Sequence, residues 1–367
     1  MTRILVESDH FLKILPIILD PRATDEHSCA VSDFFAHDIP DFSAWCEKFR
    51  AEIPGLYPAE VEFASDQAEF EDKLPGADAV IVESLQLSRD AVAKLKPLAI
   101  VHKFGGIASN IDLEACERRR ITVFKVPRQG NVAVAEQAFA LMMALAKDIG
   151  RYNGVVTASD LVAKGHTIRP YDRRYTGGSN YARIPGLRTL QGATLGIVGF
   201  GEVGREVAKR AAAFGMILLY HQRNRVSPLD ELNLGVRFSG LEELMAQSDY
   251  ILVQLPLNDS TRGIIGKAAL QAVKPGAMLV NTARADLVDR GALNEALESG
   301  RLAGVGMDVG YSEPWAPDDP LLKYKDGRVI AMPHTAVGNR QVGLRDLAEM
   351  CRNIWRVLDN RRTGRRK

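Results

Sequence analysis

A glycine-rich run is the first candidate for chemistry in this sequence. The run GFGEVG, residues 199–204, follows an apolar, strand-like segment, and Glu202 and Val203 open a helix-like one. In that context Gly199 permits a tight turn, Gly201 lets a pyrophosphate approach the backbone, and Gly204 allows close packing of helix and strand. The free N–H groups at the start of the helix then face the anion. The run predicts a dinucleotide site; the alternative is a glycine turn that binds nothing.

Two arginines lie where the adenosine ribose of such a ligand is expected. The second strand ends about 20 positions after the turn, and it continues as HQRNR from His221. A carboxylate at that strand end is typical of NAD sites, and this segment has none. Arg223 and Arg225 can instead form charge-assisted hydrogen bonds to a 2′-phosphate. The segment favours NADP(H) and leaves NAD(H) possible; the alternative is two arginines on a solvated loop.

Three further residues suited to chemistry follow predicted strands of the same half of the chain. They are Arg284, Glu313 and His334. Ligands of open parallel sheets bind outside the carboxyl ends of the strands, so we expect the three side chains to converge there. Taken singly, each has an ordinary alternative: a surface ion pair, a solvated acid and a turn histidine. Together with a dinucleotide turn they indicate a catalytic set.

The elements that must position these residues alternate regularly from residue 194 onward. Helix-like stretches separate most of the short apolar runs, and this order predicts a mostly parallel, doubly wound sheet. The runs are residues 195–198, 216–220, 250–255, 278–281, 305–309 and 329–332.

The rest of the chain predicts a second, smaller α/β unit and its connections. Residues 1–130 alternate short apolar runs, such as 14–19 and 79–82, with helix-like segments. An amphipathic helix is expected over 132–149, followed by an aperiodic arm over 150–190. The last helix, roughly 341–360, is expected to fold back onto the first unit.

Four stretches resemble the D-isomer-specific 2-hydroxyacid dehydrogenase family, nearest to its NADP-preferring glyoxylate and hydroxypyruvate reductases. They are LGIVGFGEVG (195–204), KPGAMLVNTARADLVDRGAL (274–293), GRLAGVGMDVGYSEP (300–314) and PHTA (333–336). The resemblance implies a Rossmann cofactor domain over 131–334, which includes the arm. It also implies a flavodoxin-like substrate domain formed by 1–130 plus 335–367, and a homodimer that pairs through the arm and the helix that contains Glu136.

The resemblance also assigns roles to residues. Arg284 would bind the substrate carboxylate and stabilise charge on the carbonyl oxygen, and His334 would exchange the proton with that oxygen. Glu313 would hold the other ring nitrogen of the histidine, and Asp308 would accept from the nicotinamide carboxamide. Gly310 departs from the family, which commonly has an aromatic residue there. Further expected positions are Gly105, Gly106 and Ile107, with Lys103, at the substrate carboxylate, Leu255 and Pro256 near the adenosine, and Thr282 beside the nicotinamide ribose.

Composition excludes several other classes of protein. The 367 residues include 47 Lys and Arg against 46 Asp and Glu, and the net charge of +1 gives no field that selects nucleic acid or anionic membrane. The four cysteines form no C-x-x-C pair, so neither a metal site nor a disulfide framework is indicated. No apolar stretch is long enough to span a bilayer. We expect a cytoplasmic protein that binds a small molecule.

The sequence therefore predicts an NADPH-dependent reductase of glyoxylate or hydroxypyruvate that forms the D-2-hydroxy acid. The alternative from another class is a nucleotide-sensing protein like the C-terminal-binding corepressors, which share the fold. A formate dehydrogenase relative is disfavoured, because that reaction needs no proton acid and Glu313 with His334 predicts one.

Overall fold

The structure, a computed structural model, describes residues 1–363 and divides the chain into two units. Unit 1 comprises Met1–Asn131 together with the chain from Asn339 onward, and unit 2 comprises Val132–Gly338. The boundaries expected from the sequence, after residues 130 and 334, lie near these. The substrate and cofactor roles of the two units stay predictions.

Each unit contains one sheet in which every pairing is parallel. Unit 1 has strand order β2-β1-β3-β4-β5 and unit 2 has β12-β11-β10-β9-β6-β7-β8, so the predicted α/β class is confirmed. The strands are β1 (Thr2–Glu7), β2 (Ala59–Ala64), β3 (Ala79–Val82), β4 (Ile100–Phe104), β5 (Thr122–Val126), β6 (Thr194–Val198), β7 (Ile217–His221), β8 (Val236–Phe238), β9 (Tyr250–Val253), β10 (Ala277–Asn281), β11 (Leu302–Met307) and β12 (Val329–Ala331).

Helices connect most of these strands, as parallel pairing requires. They are α1 (Leu15–Leu19), α2 (Asp25–Phe35), α3 (Phe42–Glu52), α4 (Gln67–Lys73), α5 (Arg89–Lys94), α6 (Leu113–Arg118), α7 (Gln129–Ala146), α8 (Ile149–Tyr152), α9 (Ala158–Ala163), α10 (Glu202–Ala213), α11 (Pro228–Leu234), α12 (Leu241–Gln247), α13 (Lys267–Ala272), α14 (Arg290–Glu298) and α15 (Gln341–Thr363). Short 3-10 turns cover Leu12–Ile14, Ala285–Leu287 and Pro320–Lys323.

The strand runs of unit 2 are apolar at consecutive positions because both faces of its sheet are covered. In β9, Ile251 and Val253 pack into one core, whereas Tyr250 and Leu252 pack into the core on the opposite face. Side chains alternate between the two faces of a strand, so a central strand of this kind needs apolar residues throughout.

Strand order creates the crevice of unit 2. Strand β6 pairs with β7 on one side and with β9 on the other. The chain runs from β6 through β7 to β8 on the first side and then crosses back to β9 on the second, so the strand order reverses at β6. Ligands of doubly wound sheets bind at this reversal, outside the carboxyl ends of the strands. The glycine turn after β6 lies at that position.

Several local predictions differ from the structure. The apolar run 14–19 is helical rather than a strand: Ile14 ends a 3-10 turn and the rest forms α1. A short buried run has no periodicity that separates helix from strand. Helix α7 begins three residues earlier than expected and ends at Ala146. The three-residue β8 was missed because it is too short to show a pattern. The arm over 150–190 is largely irregular and contains α9.

The last helix packs on unit 1. Leu344, Leu347, Cys351 and Ile354 are spaced three or four residues apart on α15, and all four are buried in the core that covers one face of the unit 1 sheet. Among residues 1–363, no helix is both long enough and apolar enough to cross a membrane.

Asp346 of α15 makes the stability of unit 1 depend on pH. Its side chain accepts the Gln129 N–H at 2.8 Å and is 4% exposed. Burial raises the pKa of this carboxyl to about 6. A raised pKa means that the contribution of the Asp346 carboxyl to stability is fully present below the unfolded value of about 4 and is lost as pH rises through 6.

Asp346→Asn should remove that loss, so the free energy of unfolding of the variant at pH 8 should exceed that of the wild type by up to about 3 kcal/mol. Urea unfolding at pH 5 and pH 8 measures this, and an equal pH dependence in both proteins would contradict it.

Candidate active site

The glycine turn has the shape that a dinucleotide phosphate requires. Gly199 has a φ of +100°, and a side chain there would run into the Gln254 carbonyl oxygen. A Cβ on Gly204 would lie 2.6 Å from the Gly199 oxygen, so helix α10 could not pack as closely on β6. A Cβ on Gly201 would meet no heavy atom within 4 Å. The turn is therefore tight on the protein side and open where an anion would approach the start of α10.

Arg284, Glu313 and His334 follow three neighbouring strands. They come after β10, β11 and β12, which are adjacent in the unit 2 sheet. The His334 imidazole Nδ1 lies 2.9 Å from the Glu313 Oε2. Arg284 is exposed, and its positive charge acts on the Glu313 carboxyl. The structure brings Glu313 and His334 into direct contact, as the sequence analysis expected, with the guanidinium in electrostatic range.

This contact sets which nitrogen of the ring carries the proton, and it favours the ionised carboxyl of Glu313. Burial raises the pKa of the Glu313 carboxyl, but the hydrogen bond and charge of His334, the Gly310 N–H and the charge of Arg284 together lower it below its usual range. An ionised carboxylate can only accept, so Nδ1 carries the proton and donates it. Within residues 1–363, Nε2 of this ring makes no hydrogen bond, so it is the nitrogen that can exchange a proton with a ligand.

The backbone at His334 is strained and is held by Asp308. His334 has a φ of +55°, a left-handed conformation that costs about 1–2 kcal/mol in a residue with a side chain. Its N–H donates to the Asp308 carbonyl at 2.8 Å. The Asp308 carboxylate, fully buried, accepts the N–H groups of Thr335 at 3.1 Å and Ala336 at 3.0 Å. This carboxylate supports the backbone that carries the imidazole. Its expected contact with the nicotinamide stays a prediction.

Two side-chain amides complete the support, the buried Asn281 and the partly exposed Gln137, and sequence reasoning missed both. Asn281 accepts the Ala283 N–H at 3.0 Å and donates to the Arg284 carbonyl at 2.9 Å, which shapes the turn that carries the guanidinium. Gln137 of α7 donates to Asp308 at 3.1 Å. The sequence does mark both positions. Asn281 is a polar residue at the end of the apolar strand β10, and Gln137 is a polar residue within the apolar helix α7.

The two arginines expected at the adenosine end differ in the structure. Arg225 forms a two-pronged ion pair with Glu231 of α11, with both N–O distances 2.7 Å. Hydrogen bonds from Arg225 and Tyr220 lower the pKa of the Glu231 carboxyl to about 2. Arg223 is exposed and makes no ion pair within residues 1–363. Arg223 is therefore the cation with no competing carboxylate, and Glu231 is a neighbour that the sequence did not reveal.

The remaining expected positions also lie at strand ends. In unit 2, Leu255 and Pro256 follow β9, and the buried Thr282 follows β10 and accepts a hydrogen bond from Gln254. In unit 1, Gly105, Gly106 and Ile107 follow β4, and the Lys103 ammonium donates to the Glu83 carbonyl. Across the described residues, no group of three or more His, Cys, Asp and Glu side chains could hold a metal ion.

The family model for the NAD binding domain of D-isomer specific 2-hydroxyacid dehydrogenases matches residues 139–336. That span includes the glycine turn and all three residues of the charged set. The chain belongs to this family. The D-2-hydroxyacid dehydrogenases are oxidoreductases, and the class of enzyme and of fold predicted from the sequence is thereby confirmed.

Named relatives agree with the family assignment. The chain is 35% identical over 315 residues to a glyoxylate reductase of Korarchaeum cryptofilum, covering 82% of this chain and 88% of that protein. It is 33% identical over 286 residues to a D-3-phosphoglycerate dehydrogenase of Archaeoglobus fulgidus, covering 78% of this chain but only 50% of that longer protein. A solved glyoxylate reductase from Paecilomyes thermophila has a TM-score of 0.52 at 26% identity and covers 96% of this chain and 94% of its own.

Two alanine variants test separately whether Gly199 is needed for packing and whether Gly201 is needed for binding the dinucleotide. Gly199→Ala should destabilise the protein, since the added carbon meets the Gln254 backbone. Gly201→Ala should unfold like the wild type and yet bind NADPH about tenfold more weakly or worse, because the methyl group occupies the open side of the turn. Thermal unfolding and a fluorescence titration with NADPH measure the two effects. Unchanged NADPH affinity in Gly201→Ala would contradict the assignment of the turn.

Proposed function

We propose that this dehydrogenase reduces a small 2-keto acid, of the glyoxylate or hydroxypyruvate type, with NADPH to give the D-2-hydroxy acid. The observation that carries the proposal is the contact between Glu313 and His334 at the same sheet edge as the glycine turn. The glyoxylate reductases among the relatives support this substrate class.

Three side chains divide the chemistry of reduction. Arg284 binds the substrate carboxylate and favours negative charge on the carbonyl oxygen. His334, as the imidazolium, gives its Nε2 proton to that oxygen and returns to the neutral ring. Glu313 holds Nδ1–H, so the ring keeps the tautomer and orientation that present Nε2 to the substrate. In oxidation the neutral Nε2 takes the proton back.

The residues of unit 2 fit a bound dinucleotide. The N–H groups after Gly201 would hold the pyrophosphate, Leu255 and Pro256 would line the adenosine side, and Thr282 would lie by the nicotinamide ribose. When bound, the reduced nicotinamide would supply the hydride that the carbonyl carbon accepts. Arg223 would hold the 2′-phosphate, and Arg225 would contribute where that phosphate competes with Glu231 for its guanidinium. The Asp308 carboxylate would also accept a hydrogen bond from the nicotinamide carboxamide.

We also propose substrate-binding residues within unit 1. The backbone N–H groups of Gly106 and Ile107, after Gly105, bind the substrate carboxylate, and Lys103 adds a positive charge nearby. These residues follow the carboxyl end of β4, the edge at which parallel sheets bind ligands.

We also propose a homodimer that pairs through the arm. The arm exposes large apolar side chains, among them Val156 at 68% and Tyr175 at 82%. Apolar groups of this size on one aperiodic segment are typical of a surface that a partner covers. Sedimentation equilibrium tests this, and a monomer at micromolar concentration would contradict it.

A panel of keto acids with both reduced nucleotides tests the proposed function. Glyoxylate, hydroxypyruvate, pyruvate and 3-phosphohydroxypyruvate are each added to the protein with NADPH or NADH, and absorbance loss at the nicotinamide band is followed. The proposal requires oxidation of NADPH in the presence of glyoxylate or hydroxypyruvate. Tight NADPH binding without turnover on any acid would favour the nucleotide-sensing alternative, and turnover only on the phosphorylated acid would overturn the substrate class.

Arg284→Ala should lower kcat/KM for the keto acid by roughly a hundredfold or more, because a charged partner of the developing oxyanion is lost. NADPH affinity should stay the same. Arg301→Ala, which removes an arginine just before β11 at the opposite edge of the sheet, is the matched control. Equal turnover in Arg284→Ala and wild type would refute the role of this guanidinium.

Arg223→Ser should raise the Kd for NADPH roughly ten- to hundredfold and leave the Kd for NADH unchanged, because only NADPH carries the 2′-phosphate. Arg237→Ser removes an exposed arginine of β8 that bonds Gln247 at 3.0 Å, and it should change neither Kd. Equal weakening of both nucleotides by Arg223→Ser would show that the residue does not select the phosphate.

A further inference from the structure

The Glu313–His334 contact cannot maintain its own geometry. The two side chains are 47% and 44% exposed. Exposed ion pairs contribute little to stability because water competes for both charges and two side chains must be ordered. Some other contact has to hold the loop that carries Glu313 against the end of β12.

Trp315 makes that contact. Its indole Nε1 donates to the Met332 carbonyl oxygen at 3.0 Å. Trp315 lies two residues after Glu313, and Met332 lies two residues before His334, so this bond joins the same two segments as the carboxylate–imidazole bond. The ring is half-buried and packs against the core between the sheet and helices α13 and α14. Packing shields this hydrogen bond from water and makes it the more durable of the two links.

Gly310 is shaped to this ring. A Cβ on Gly310 would lie 3.1 Å from both Cδ2 and Cε2 of the indole and 2.5 Å from the Ser312 carbonyl oxygen. Space, rather than backbone conformation, therefore requires glycine at this position. The Gly310 N–H also makes a long hydrogen bond of 3.4 Å to the Glu313 Oε1. The two carboxylate oxygens are thus held from opposite sides, one by Gly310 and the other by the imidazole.

We infer that Trp315 is a positioning residue that holds Glu313 at His334, and that Gly310 provides the space its indole needs. The inference rests on the function proposed above and adds the element that orders its proton donor. Trp315 touches neither reacting atoms nor dinucleotide in this role.

Trp315→Phe is the direct test, because it keeps an aromatic ring and removes the N–H donor. The Met332 link is lost, Glu313 moves away from His334 more often, and kcat for keto acid reduction should fall on the order of three- to tenfold. The Kd for NADPH should not change, because the glycine turn is untouched. Gly310→Ala should act in the same direction by displacing the ring, and the double variant should be less impaired than two independent losses predict.

The pH dependence distinguishes positioning from simple loss of stability. The groups that face Glu313 are the His334 imidazole, the Arg284 guanidinium and the Gly310 N–H, and they lower its pKa against the effect of burial. A lowered pKa means that the contact is present at neutral pH and is lost as pH falls through the folded value. In Trp315→Phe the acid limb of kcat/KM should move to higher pH, toward the ordinary glutamate value of 4.5.

Tyr324→Phe is the matched control. Tyr324 packs against the same core as Trp315, and its hydroxyl bonds Asn294 at 3.3 Å rather than either active-site segment. This variant should keep the wild-type kcat and acid limb even if its melting temperature falls. Trp315→Phe with wild-type kcat and an unmoved acid limb would overturn the inference.

A readout without turnover keeps this inference separate from the proposed function. Carboxyl carbon NMR of glutamate-labelled protein follows the titration of Glu313, with Glu313→Gln identifying its signal. A shift of that titration to higher pH in Trp315→Phe supports the positioning role even if no keto acid is reduced. An unshifted titration refutes it even if the wild type is an active reductase.

Discussion

The hydrogen bond from the His334 imidazole to the Glu313 carboxylate is the interaction on which the rest of the site depends. It commits one ring nitrogen to the protein, and within residues 1–363 the other ring nitrogen makes no hydrogen bond. The bond is weak because both partners are exposed, and the backbone that presents the imidazole is itself strained. Much of the surrounding polar structure therefore serves to hold it, with Asp308 on one side of the histidine and Trp315 on the other.

The sheet of unit 2 explains how residues far apart in the chain come to act together. Parallel pairing brings the carboxyl ends of β10, β11 and β12 to one edge, and the reversal of strand order at β6 brings the glycine turn to that edge. Amide side chains then refine positions that the sheet fixes only approximately. Asn281 shapes the turn before Arg284, and Gln137 supports Asp308 from helix α7.

The glycine turn and the repeated strands could be predicted because each depends on residues close together in sequence. The charged set could be predicted because apolar runs between helix-like stretches specify a parallel sheet, whose strand ends bring Arg284, Glu313 and His334 to one edge. Contacts that depend on side-chain packing could not be predicted this way. Glu231 contacts Arg225 only when α11 is folded beside the end of β7. The indole of Trp315 lies against Gly310 only when the loop after β11 is folded. The helical structure of the apolar run 14–19 could not be predicted for a related reason, since helix and strand bury short apolar runs equally well.

Nitrogen NMR of the protein labelled with ¹⁵N-histidine tests the central interaction most directly. The chain has seven histidines, and His334→Gln identifies the signals of this ring. At neutral pH the His334 ring should carry its proton on Nδ1, protected from exchange with water, and Glu313→Gln should lose that protection. A His334 ring protonated on Nε2 alone, or one whose signals are the same with and without the carboxylate, would show that this hydrogen bond does not hold the ring.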